Sequence, residues 1–285
     1  MGWTDDFRIL TRRHRSLAMR PILIALLILT LSLPAWAGYE DGLVAYENGD
    51  YAKALDIWMP LAEQDHARAQ LSLGVLYEQG NGVRADPATA AGWYELSAKQ
   101  GLAVAQFRLG MLYYDGSGVA EDPAKAAEWF GRAAVKGHGE AQLWIAFLYH
   151  HGAGVEKNVT AAAGWYKKAA DQGMATAQFN LGTFYQTGTG VPQDTAKAAT
   201  LYLTASNQGF ADAQVALGRM FADGIGVRQD LVRAHKWLNL AASTLEPGKA
   251  RDQIIGQREV VAKHLTPAQL AEAQRQAREW RPQTQ

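Results

Sequence analysis

No cysteine occurs anywhere in the sequence. That absence excludes a disulfide framework, a thiolate zinc site, an iron–sulfur cluster and a cysteine nucleophile. Neither sign of charge dominates, because 28 basic and 28 acidic side chains cancel. A general nucleic-acid binder needs a basic face, so the balance argues against that class. Long hydrophobic runs are equally scarce. One run, residues 22–33, spans 12 residues, where a membrane-spanning helix needs roughly 20. Gly-x-Ser-x-Gly, a phosphate loop and His-Glu-x-x-His are all missing. What is present is an ordinary globular share of apolar residues, 48 % of 285.

The ends of the chain differ in character. Arg8, Arg12, Arg13, Arg15 and Arg20 face only Asp5 and Asp6 before the apolar run. Pro34 follows it, and Ala35-Trp36-Ala37 places a small residue at both recognition positions before Gly38. A basic start, a short apolar segment and an A-x-A site predict a cleaved secretory signal over residues 1–37. The alternative is an N-terminal anchor that escapes cleavage. Met19 would open a more compact signal than Met1 does. No cysteine follows the run, which excludes a lipid-anchored lipoprotein. With five basic and two acidic groups removed, residues 38–285 hold 23 basic and 26 acidic side chains, a net of −3. The leader and the remainder are therefore oppositely charged.

Self-comparison organises the rest. Ala-Gln recurs at 69–70, 105–106, 141–142, 177–178 and 213–214, always 36 residues apart. In the same register stand Gly74, Gly110, Gly182 and Gly218, with Ala146 as the exception. Glycine pairs at 80/82, 116/118, 152/154, 188/190 and 224/226 each precede a valine. Asp86, Asp122, Asn158, Asp194 and Asp230 share another slot, and Trp93, Trp129, Trp165 and Trp237 a further one. Such a period marks a repeat architecture.

Each unit reads as two helices. Ala69, Leu73, Leu76 and Tyr77 fall at helical spacing, and Gly80 ends the helix in a left-handed cap. Asp86 caps the second helix with Pro87 in its first turn. Asn158 occupies that cap slot, which explains it better than its match to a glycosylation acceptor does. The recurrent Gln70, Gln106, Gln142, Gln178 and Gln214 are expected to be buried and bonded to a neighbouring turn. The recurrent tryptophans are expected in the inter-repeat core. One pair cannot bury its own apolar face, but stacked pairs share a core. The predicted architecture is an all-α solenoid of about six helix-turn-helix pairs over residues 38–246. Capping helices follow over 247–285, and Thr266-Pro267 with Gln269 opens the last of them.

The motif Ala-Gln-x-x-Leu-Gly-x-x-Tyr-x-x-Gly-x-Gly-Val, then Asp-Pro-x-x-Ala-x-x-Trp, resembles the Sel1-like repeat, a relative of the tetratricopeptide repeat. It stands here as Ala105-Gln106-Phe107-Arg108-Leu109-Gly110 through Asp122-Pro123 to Gly137. The tail from Leu265 to Trp280 is similar to the ending of exported proteobacterial members. The resemblance implies a right-handed α-solenoid that acts as an adaptor in signalling, envelope regulation or host interaction. Cysteine-rich secreted members carry a disulfide in each repeat and are linked to β-lactam binding. Without cysteine, that framework does not transfer.

Function is expected where the repeats differ. On a helical wheel of 100° per residue, slots 68, 72, 75 and 79 and their equivalents vary, opposite the constant face. In solenoids of helix pairs the first helices line the concave groove, the usual binding surface. The candidate groove residues are Arg108, Met111, Trp144, Phe147, Asn180 and Arg219. Trp and Arg are favoured hot-spot residues, and Met makes adaptable contacts. Trp144 and Phe147 either face a partner there or pack against a neighbouring helix or the tail. His150-His151 is the one histidine cluster, and adjacent helical residues point about 100° apart, which suits a shared metal poorly. No catalytic residue, metal ligand or cofactor is expected.

The sequence thus predicts an exported, non-catalytic scaffold, periplasmic or secreted, that binds a protein or peptide and no nucleic acid. A β-lactam or cell-wall hydrolase is the alternative. Protein recovered from cells expressing the full chain is expected to begin at Gly38 by N-terminal sequencing. Recovery of residues 1–37 on the exported product would overturn the cleavage reading.

Overall fold

A computed structural model describes residues 35–283. The expected signal segment lies outside the described residues up to Pro34, and positions 35–37 stand at the start of the first helix. Among the described residues the chain forms fourteen helices and no strand. The first pair is α1 (Ala35–Glu47) and α2 (Tyr51–Glu63). Five pairs follow: α3 (Ala67–Gln79) with α4 (Pro87–Lys99), α5 (Ala103–Asp115) with α6 (Pro123–Val135), and α7 (Gly139–His151) with α8 (Val159–Asp171). Then come α9 (Ala175–Thr187) with α10 (Thr195–Asn207), and α11 (Ala211–Asp223) with α12 (Leu231–Thr244). Two terminal helices, α13 (Lys249–Ala262) and α14 (Pro267–Glu279), pack on α12. Each helix otherwise packs on its sequence neighbours, as a solenoid requires. No helix among the described residues is long and apolar enough to cross a membrane.

Two thirteen-residue helices, a seven-residue loop and a three-residue turn fill the 36-residue period. The loop is built as the sequence predicts. Gly80, Gly116, Gly152, Gly188 and Gly224 close the first helices with φ between 67° and 77°. Asp86 then accepts from the backbone N–H groups of Ala88 and Thr89 at 3.0 and 3.2 Å, and Asn158 caps α8 through Ala161 at 2.9 Å. Thr266 and Gln269 form the reciprocal capping box of α14. The second glycine of each pair has a reason invisible in one repeat. A Cβ on Gly118 would strike the Pro87 backbone, and one on Gly154 would strike Pro123. Each loop therefore rests directly on the start of the preceding second helix. The first pair departs from this plan, since a short Asn48-Gly49-Asp50 turn replaces the loop. Asp65 also takes a left-handed φ of 62° where later repeats carry glycine.

The deepest side chain of each second helix is a ring or a leucine: Trp58, Tyr94, Phe130, Tyr166, Tyr202 and Leu238. Most of these seat on a glycine. A Cβ at Gly110 would lie 2.6 Å from Phe130 Cε1, and one at Gly182 2.8 Å from Tyr202 Cε1. The recurrent tryptophans correct the expectation in part. Trp129 and Trp237 are buried, but Trp93 and Trp165 are half-exposed. Cations cover that slot from outside, with Lys168 Nζ 3.9 Å above Trp165 and Arg132 4.5 Å above Trp129. The tryptophan is the lid of the inter-repeat core, and the next residue is its centre.

The recurrent glutamines do bond a neighbouring turn. Their Nε2 groups donate to carbonyls ending the previous helix: Gln70 to Ala62 at 3.0 Å, Gln106 to Ala98 at 3.0 Å and Gln142 to Ala134 at 3.1 Å. Their Oε1 atoms accept from a glutamine 30 residues on. Gln100 serves Gln70, Gln172 serves Gln142 and Gln208 serves Gln178, at 2.8 to 2.9 Å. That partner slot holds Lys136 and Thr244 in the other two repeats, and there the buried Oε1 atoms of Gln106 and Gln214 are unbonded.

Two histidines act as caps that the spacing does not announce. Nδ1 of His66 and of His138 accepts the backbone N–H of Ala69 and Ala141 at 3.2 and 3.3 Å. The other repeats carry Leu102, Met174 and Phe210 in that slot and have no side-chain cap. Burial holds the His138 imidazole below its ordinary pKa; Arg108 adds to this and Glu140 opposes it. The folded state therefore binds fewer protons than the unfolded chain just below about pH 6.5. Stability from neutral His138 is complete above that pH and is lost as pH falls toward the depressed pKa.

Two outcomes follow from these contacts. Lys136→Gln should complete the Gln106 pair and raise stability by about 0.5–1.5 kcal/mol, read as a higher denaturation midpoint. His138→Asn keeps a capping acceptor and removes the titration. Its melting midpoint should fall less than that of the parent between about pH 7 and about pH 5; an equal fall would show that His138 is not the titrating group.

Candidate functional site

The first helices α3, α5, α7, α9 and α11 stand in register. Their constant face carries the buried Ala-Gln, Leu and Gly slots, so the varied slots are left on the other side. The outer members of that stripe are the more open. Gln79, Asp115, His151, Thr187 and Asp223 are all exposed at the end of their helices. The middle slots are narrower. Val75, Met111, Phe147 and Thr183 are half-buried, and Arg219 is exposed.

The six candidate residues do not share one environment. Met111 and Phe147 hold the same slot in consecutive first helices, and both keep accessible surface. Asn180 is half-buried on α9. Arg108 is not a free cation, because its Nη1 lies 3.2 Å from Glu78 Oε2 on α3. The same oxygen accepts the Tyr94 hydroxyl at 2.5 Å. Burial, and then the Glu78 charge, push ionisation of Tyr94 well above the ordinary phenol range. Arg219 donates from Nε to Gln257 Oε1 of α13 at 2.9 Å, so the stripe ends against a terminal helix.

Trp144 corrects the wheel. It does not stand open: only 8 % of it is exposed. Its ring stacks on Phe130 at 5.6 Å, leans on Tyr114 at 4.8 Å and meets the edge of Phe147 at 5.8 Å. The slot faces back toward the preceding repeat, where Ser72, Arg108, Asn180 and Ala216 leave less to bury. A large indole fills that space and becomes the floor under Phe147.

Tyr114 and His150 share a slot that lies outside the candidate stripe. Both are half-buried. His150 meets Phe184 edge-on at 4.8 Å, and His151 lies 4.4 Å from Phe147. The signal was available, since this slot reads Glu78, Tyr114, His150, Gln186 and Ala222 and varies as much as the chosen ones. Together these rings form a belt across the central repeats. Burial lowers the pKa of both His150 and His151, with His151 acting on the first and Lys157 on both. Burial, then Glu121, raises that of Asp115. Such a surface can receive an apolar or aromatic side chain. The two imidazoles lie 4.5 Å apart between centroids, and among the described residues no three metal-ligating side chains gather.

The Sel1 repeat family matches residues 67–102, 103–138, 139–174, 175–210 and 211–243. Each matched stretch opens on the first residue of a first helix, from α3 to α11. A Sel1 repeat protein of Oxalobacter formigenes is 32 % identical, with a TM-score of 0.70 over 73 % of this chain and 86 % of that one. The protein c5321, a protective antigen of uropathogenic Escherichia coli with the same kind of repeat fold, is also 32 % identical. It gives a TM-score of 0.74 over 86 % of this chain, which spans 54 % of that antigen's length. No curated protein matches the sequence. Period, loop chemistry and helix-pair stacking agree with these likenesses, and the chain belongs to the Sel1 repeat family.

Proposed function

We propose that the protein is an exported, non-catalytic adaptor that holds a peptide or protein segment along its first helices. Sel1 repeat solenoids are typically protein-interaction scaffolds. One observation supports this reading most: the slots that build the scaffold repeat, while the stripe beside them reads differently as a set in each copy. Met111 and Phe147 supply apolar contact at its centre, over the Trp144 floor. The aromatic belt presents packed rings beside that floor, so it suits an apolar anchor side chain of the partner. Export rests on the leader read above, with its basic start, short apolar run and A-x-A site. A role in envelope regulation or signalling is the biological context we favour, in the periplasm or outside the cell.

Affinity capture from an envelope fraction tests the groove. Met111→Lys and Phe147→Ser, made separately, should each weaken recovery of the wild-type partner at least tenfold. Their melting midpoints should stay within about 4 °C of the parent, near what 1 kcal/mol produces in a chain of this size. Unchanged capture by both variants would place the partner elsewhere.

A further inference from the structure

The second helices carry a different surface. Between α10 and α12, under the turn that joins α13 to α14, lies an open cleft of about 830 Å³. A smaller hollow of about 400 Å³ continues it toward α14 and shares Leu203, Phe221 and Arg233 with it. Three features set the place apart. The first is its apolar lining where other repeats are polar or small. Leu203 is 41 % exposed in a slot that holds Glu95, Gly131, Lys167 and Asn239 in the other four 36-residue repeats, with Met59 in the first pair. Val232 likewise replaces the Ala88, Ala124, Thr160 and Ala196 of its slot. The second is charge. Arg228, Arg233 and Lys236 line the two hollows, against one carboxylate, Asp230. Asp230 is already committed, since it caps α12 through the Arg233 N–H at 3.0 Å and pairs with the Arg233 guanidinium at 3.4 Å. Arg228 makes no ion pair among the described residues. The third is enclosure, because His264 and Leu265 wall the side that a bare solenoid would leave open.

We propose that this cleft docks an acidic peptide segment of a partner protein, with one large apolar side chain set between flanking carboxylates. The chain beyond its leader has a net charge of −3, so a cationic cleft is a local exception that attracts a negative ligand. From Leu231 to Trp237 the wall runs about 9 Å at 1.5 Å per helical residue. That length takes about three extended residues at roughly 3.3 Å each. The apolar side chain lies against Leu203 and Phe221, and the carboxylates reach Arg228 at one end and Lys236 at the other. Walls on three sides suit a narrow segment and exclude a flat bilayer. This site is separate from the stripe on the first helices, so either can fail while the other stands.

Fluorescence anisotropy with labelled Gly-Gly-Asp-Phe-Glu amide tests the proposal on the protein without its leader. Binding should be at least tenfold tighter than for the Gly-Gly-Lys-Phe-Lys counterpart, and should weaken as salt rises. Arg228→Glu and Leu203→Asp should each cost at least tenfold, with helical circular dichroism retained. Lys167→Glu, an equal charge reversal in the slot equivalent to Leu203, should change nothing. Equal binding of both peptides, no binding at millimolar protein, or indifference to Arg228→Glu would each overturn it. So would binding of anionic phosphatidylglycerol vesicles without binding of the acidic peptide.

Discussion

The structure depends on one buried contact made again at each junction: a glutamine amide that reaches back to the final carbonyls of the previous helix. Helix ends leave carbonyls unbonded, and a buried end without partners is costly. Here Gln70, Gln106, Gln142, Gln178 and Gln214 each bond one carbonyl of the last turn, which also accepts a backbone N–H from the turn that follows, so its second lone pair is used as well. The same bond fixes how far each first helix sits from the second helix before it. Rings, or Leu238 in the sixth pair, seated on glycines then set the spacing inside five of the six pairs. With both distances fixed, stacking holds the repeats together without a disulfide, as a cysteine-free chain must.

Much of this was legible in the sequence because a repeat multiplies every signal. One Asp-Pro is weak evidence for a cap, but the same slot read five times is not. Helix ends, the Asp and Asn caps of the second helices and the terminal capping box therefore emerge from spacing alone, whereas the His66 and His138 caps do not. The seating of Phe130 on Gly110 and of Gly118 on Pro87 does not, since each is a contact between helices or repeats whose partner the pattern cannot name. The tryptophan slot shows the same limit. Periodicity marks it as apolar, yet whether the indole is the centre or the lid depends on its neighbour at the next position.

The candidate site was less legible, for a related reason. A wheel assigns direction on one helix and ignores the helix beside it. It placed Trp144 with Met111 and Phe147, although the slot of Trp144 turns toward the preceding repeat and is covered. It gave Arg108 as a groove residue without its partner, Glu78 on the neighbouring helix. Tyr114 and His150 were set aside because their slot is polar in other copies. Variation between copies was the right criterion, and it needed to be applied to every slot on the helix.

The second glycine of each loop carries a further consequence. With Gly118 against Pro87 and Gly154 against Pro123, a loop can neither lengthen nor shift by a residue without losing its seat on the preceding helix. Change in length is thereby quantised. The array can gain or lose material only as whole 36-residue units cut at equivalent points, where the new junction matches the old. Duplication can lengthen the binding stripe one helix at a time, leaving existing junctions intact and the added surface free to diverge.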